Sequence, residues 1–148
     1  MTAANPFHLA IPVNDLDLTL AFYEDYLGCS RGRESRDWVD LNFFGHQLVL
    51  HRADDSKGRG AKGANPVDGE QVPVPHFGVV LKWQAFEDLI ERLVCQDCKF
   101  VIEPTTRFKG RAGEQKTCFL MDPSGNCLEF KSFRKPDALF STDAGTYE

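Results

Sequence analysis

Long apolar runs are missing from this sequence: none approaches the roughly 18 residues needed to cross a bilayer. The opening Met-Thr-Ala-Ala-Asn-Pro lacks the basic and apolar regions of an export signal. Positive charge is also in short supply. Seventeen Lys and Arg stand against twenty-two Asp and Glu, a net charge of −5 that argues against nucleic acid or an anionic membrane as the main partner. Tyr and Trp are few, three and two against twelve Phe, so core packing rather than wet stacking uses most of the aromatics. Cysteine is limited to five positions, an odd number without an export signal, which predicts reduced thiols in a cytoplasmic setting. Cys95 and Cys98 have CxxC spacing, but no second pair exists for a zinc site. They follow a helical stretch rather than opening a helix, so they read as incidental thiols.

What is present is an ordinary globular composition, 42% hydrophobic and 26% charged, in 148 residues, enough for one domain with a real core. Phe7 to Val13 reads as a strand, after which Asn14 or Asp15 can cap a helix. Leu16, Leu20, Tyr23 and Leu27 recur at helical spacing, and Gly28 supplies a left-handed stop. Short strands follow around Cys29–Arg33, Trp38–Phe44 and Gln47–Arg52, the last two as a hairpin about Phe44-Gly45-His46. Residues 54–75 lack periodicity and read as a long connector. The order then restarts: a strand from Pro75, a helix marked by Phe86, Leu89, Ile90 and Leu93, and strands at Phe100–Ile102, Thr117–Met121 and Cys127–Phe133. Asp122-Pro123-Ser124-Gly125-Asn126 is the last turn.

The chain is therefore one unit written twice, strand–helix–three strands, as residues 1–53 and 76–133. A connector, 54–75, joins them, and a tail of unassigned role, 134–148, follows. Duplication places equivalent positions of related strands opposite each other. His8 then pairs with His76, and position 49 with Glu129. Glu129 lies between Leu128 and Phe130 and points to the opposite sheet face from both. A carboxylate there is costly unless paired or bound to a metal. Two imidazoles and one carboxylate also form the ligand set of open non-haem iron sites. His8, His76 and Glu129 are the candidate metal ligands. Between two late strands, Arg107 to Gln115 holds three cations and two glycines. Arg107 or Lys109 would meet a carboxylate, phosphate or enolate oxygen of a substrate there.

These segments resemble the vicinal oxygen chelate superfamily, which holds glyoxalase I, extradiol dioxygenases and the fosfomycin and bleomycin resistance proteins. The resemblance rests on His8 in Phe-His-Leu-Ala-Ile-Pro-Val, on Ala21-Phe22-Tyr23-Glu24-Asp25-Tyr26-Leu27-Gly28, and on Asp122-Pro123-Ser124-Gly125-Asn126-Cys127-Leu128-Glu129-Phe130. With His76 these span positions 7 to 133. The resemblance implies an α+β fold in which two βαβββ modules form a cup-shaped mixed sheet with helices outside. It also implies one divalent metal ion (Fe, Mn, Ni, Co or Zn) and a small oxygenated substrate. Val49 stands where a fourth ligand would be, which favours dioxygenase-like chemistry over a glyoxalase I-type lyase. A non-catalytic drug-binding protein is the competing class. A shift along the strand brings in His51, as fourth ligand or acid–base group, or Gln47, as a substrate contact. Homodimerisation is expected by analogy only.

Overall fold

The computed structural model describes residues 5–53, 63–67 and 70–142. It divides into two compact units, one of residues 1–62 with the turn Asp122–Asn126, the other of 63–121 with 127–148.

The first unit follows its sequence pattern closely. Strand β1 (His8–Val13) leads to helix α1 (Leu16–Ala21), which continues as one wider turn over Phe22–Tyr26. Asp15 caps the helix, its Oδ1 accepting from the Leu18 N–H at 2.9 Å, because the first amides of a helix have no partner of their own. Gly28 ends it at φ +71°, where any side chain would be strained. Leu16, Leu20, Tyr23 and Leu27 are all buried, as their spacing requires. Strands β2 (Ser30–Glu34), β3 (Trp38–Phe43) and β4 (His46–Arg52) complete a four-stranded sheet of order β1-β4-β3-β2. β1 runs parallel to β4, and the other pairs are antiparallel. Phe44 and Gly45 both have positive φ, the two-residue turn whose twist matches a hairpin.

The second unit repeats this order. Strand β7 (Phe77–Val80), helix α2 (Trp83–Cys95) and strands β8 (Ile102–Arg107), β9 (Gln115–Met121) and β10 (Cys127–Phe133) give the sheet β7-β10-β9-β8. Ahead of it lie β5 (Gly63–Val67) and β6 (Glu70–Val74), an antiparallel pair. Two mixed four-stranded sheets with the same strand order make this an α+β fold of two βαβββ modules.

Two expectations need correction. The connector 54–75 contains the β5–β6 hairpin; its Gly, Pro and Asp content masks a pairing set by a neighbouring strand rather than by alternation. The strand expected at Phe100–Ile102 runs instead over Ile102–Arg107, so Arg107 belongs to a sheet and not to a loop. In the tail, Pro136–Phe140 forms a 3₁₀ turn that buries Ala138.

Candidate metal centre

Strand β10 makes the site by alternation. Leu128, Phe130 and Ser132 are buried on one face, whereas Glu129 and Lys131 point to the other. Register extends that second face. Glu129 lies opposite Gly78 on β7 and Phe119 on β9, and Lys131 lies opposite Val80 and Thr117. At Gly78 the chains approach so closely that an added Cβ would sit 1.5 Å from the Glu129 carbonyl oxygen.

His76 sits just before β7 and brings its Nε2 to 3.1 Å from Glu129 Oε1. Its Nδ1 is 2.5 Å from the Pro73 carbonyl oxygen, which can only accept, so Nδ1 carries a proton. The ring packs edge-on against Phe119 with centroids 5.1 Å apart. Thr117, fully buried, donates its hydroxyl to Glu129 Oε2, and Lys131 Nζ lies 3.8 Å from Oε1. Burial alone would push the Glu129 pKa up. The hydrogen bond from His76, with Lys131 and Thr117, outweighs it and holds the group below its ordinary value. The same hydrogen bond, helped by Pro73, raises His76 against the opposing effect of burial.

In the first unit His8 is treated in the same way. Its Nδ1 lies 2.7 Å from Gln47 Oε1, its register partner on β4. An amide oxygen accepts, so Nδ1 again carries the proton and Nε2 keeps a lone pair. Metal-binding histidines are commonly oriented in this manner, through the nitrogen that does not ligate. Imidazole nitrogen and carboxylate oxygen are donor types that a divalent ion accepts. His76 and Glu129 are brought together within one unit, and His8 belongs to the other. Among the described residues no group of three or more His, Cys, Asp or Glu is gathered into a metal cage.

Other candidates fall in distinct places. Val49 is buried between Ala10 and Asp40, at the register of the first sheet that corresponds to Glu129 in the second. Gln47 is a support for His8. His51 is exposed at the end of β4, four residues beyond Gln47, or roughly 13 Å at strand rise. Lys109 is exposed in the turn after β8. Arg107 is buried, 3% exposed, opposite Gln115 on the Glu129 face of the sheet. Sequence reading missed Thr117, the Pro73 carbonyl and Lys131. Only Lys131 left a signal, two residues from Glu129 and hence on its face.

The profile described as the Glyoxalase/Bleomycin resistance protein/Dioxygenase superfamily matches residues 6–130. A crystal structure of a glyoxalase/bleomycin resistance protein/dioxygenase from Alicyclobacillus acidocaldarius is 34% identical, with TM-score 0.75, covering 93% of this chain and 97% of that one. Virulence protein STM3117 of Salmonella typhimurium is 23% identical over 85% of this chain and 82% of its own length. The fosfomycin resistance protein FosX of Listeria monocytogenes shares the fold, with TM-score 0.66 at 14% identity over 93% of this chain and all of that one.

Proposed function

Because the chain belongs to the glyoxalase/bleomycin resistance protein/dioxygenase superfamily, we propose that it is a metal-dependent enzyme acting on a small oxygenated substrate. His8, His76 and Glu129 would hold one divalent ion, Fe, Mn, Ni, Co or Zn. The observation that carries this reading is the shared treatment of the two imidazoles. Each has Nδ1 tied to an oxygen acceptor, Gln47 Oε1 or Pro73 O, so each would ligate through Nε2, that of His76 after giving up the proton it shares with Glu129.

When bound, the ion would polarise two adjacent substrate oxygens and acidify a hydroxyl held there. The chain's own residues supply the rest. Thr117 fixes one oxygen of Glu129 and leaves the other directed at His76. Arg107, and Lys109 from the exposed turn, would meet negative charge on the substrate. His51 is the acid–base candidate at the end of β4. Two imidazoles and a single carboxylate, with Val49 offering no donor, leave open positions and favour dioxygenase chemistry, in which both atoms of molecular oxygen end in product.

Metal analysis after reconstitution, on wild type and on His8→Ala and His76→Ala separately, tests the ligand set. One equivalent in the wild type and a large loss in both variants is expected. Equal metal in all three overturns the reading. Oxygen uptake with catechols under iron, set against turnover of methylglyoxal and glutathione under nickel or zinc, tests the reaction class. Turnover of the second kind without oxygen uptake would reassign the chain to lyase chemistry, and ligand binding without turnover in either assay would point to a binding protein.

A further inference from the structure

We infer that Lys131 anchors an anionic group of the substrate, so that the substrates of this site are small organic acids whose carboxylate or phosphonate lies near the chelating oxygens. The inference rests on the reading of the Glu129 face as the substrate face.

Lys131 is not needed as the partner of Glu129. One oxygen of that carboxylate accepts from Thr117, and the other lies 3.1 Å from His76 Nε2. At 3.8 Å the Lys131 ammonium is beyond hydrogen-bond distance of Glu129, so its charge favours the carboxylate without using an N–H donor. An ammonium has three donors, and this contact satisfies none of them. A half-buried lysine beside a candidate metal ligand is therefore poised over the face, and among the described residues none accepts a hydrogen bond from it.

The register shows what else shares that face. Opposite Lys131 on β9 is Thr117, next along β9 on the same side is Gln115, and opposite Gln115 on β8 is Arg107. Strand spacing and rise put the Cα atoms of Lys131 and Arg107 about 12 Å apart, a gap that two long side chains can close from opposite ends. Arg107 has further contacts within the fold, so Lys131 is the more adaptable of the two. Glu103, the other charged residue of β8, is exposed in the irregular stretch between Ile102 and Thr105. This face thus sets two cations against one carboxylate in a chain whose net charge is −5. That local reversal of sign selects anions.

The test uses metal-free full-length protein and calorimetric titration at low salt with malonate, phosphonoacetate and neutral malonamide. At least one anion binds, malonamide does not, and added salt weakens binding. Lys131→Ala weakens the anion about tenfold or more at unchanged melting temperature, and Lys131→Arg restores most of it. The relative affinities of malonate and phosphonoacetate tell carboxylate from phosphonate. Absence of binding by both anions, equal binding of malonamide, or full affinity in a folded Lys131→Ala overturns the inference. Because no metal is present, anion binding in a protein that takes up no metal would refute the ligand set alone, and metal uptake without anion binding would refute this proposal alone.

Discussion

Tyr23 donates its phenolic hydrogen to Asp122 at 2.8 Å, joining residues 99 positions apart inside the first unit. The other oxygen of Asp122 accepts from the Ser124 and Asn126 amides at 2.9 Å each, which closes the turn Asp122–Asn126. Both partners are buried, and burial, followed by the neighbouring Asp122 carboxylate, pushes the Tyr23 hydroxyl well above its ordinary pKa. Tyr23→Phe removes one hydrogen bond to a buried carboxylate and is expected to cost about 1.5–3 kcal/mol in a denaturant titration. A loss under about 0.5 kcal/mol would show that the turn is held by its own amides.

Gly78 is expected to be intolerant of any side chain. Its Cβ would meet the Glu129 carbonyl oxygen at 1.5 Å, and that oxygen is backbone and cannot rotate away. Gly78→Ala should destabilise by about 3 kcal/mol and displace Glu129, lowering metal uptake as well. Gly32→Ala is the control. Its Cβ would meet nothing nearer than Asp40 Cβ at 3.5 Å, an ordinary contact, and its midpoint should move little.

The His76–Glu129 pair predicts two pH responses. Its raised pKa makes the His76 contribution to stability fully present below the ordinary value of 6.5 and lost as pH rises through the folded value. Glu129, lowered, contributes above its ordinary 4.5 and loses that contribution as pH falls through its folded value. In metal-free protein the pair therefore stabilises most between those ordinary values, and His76→Ala should flatten the melting-temperature profile there. Metal must displace the Nε2 proton, so metal affinity should climb with pH until the raised His76 pKa is passed. A pH-independent affinity would exclude His76 as a ligand.

The five cysteines are thiols rather than disulfides and should separate by burial. Cys95 is exposed; Cys98 is half-buried, and burial raises its pKa. Cys29, Cys118 and Cys127 are buried, and burial pushes Cys118 up to about 12. A thiol-reactive dye in native buffer should find Cys95 quickly and Cys98 slowly, since only the thiolate reacts. The other three should react on unfolding. Fast native labelling of Cys118 would contradict the packing of β9 against β10.

Much of this was legible because repetition amplifies weak local patterns. A single His opening a strand says little, but His8 and His76 at matching places in a repeated unit say more. The alternation of Leu128, Glu129 and Phe130 fixed which side chain left the core. What depends on register between strands was hidden. Thr117 meets Glu129 only because β9 and β10 pair at that offset, and nothing in Thr117's own neighbours announces it. Arg107 read as a loop cation because Gly110 and Gly113 mark a turn, yet the strand before the turn extends up to it. The β5–β6 hairpin was missed because its Pro and Gly content mimics a linker.

The turn Asp122–Asn126 is carried on strands of the second unit and yet belongs to the first. Ser124 accepts from Asn14 N–H at 3.1 Å and meets the Thr19 hydroxyl at 2.7 Å, while the Asn126 amide donates to the Pro12 carbonyl at 3.0 Å. A fragment ending after β4 would lose these hydrogen bonds and leave the buried Thr19 hydroxyl without its Ser124 partner. Any attempt to split the chain into independently folding pieces therefore has to supply those five residues to the first piece.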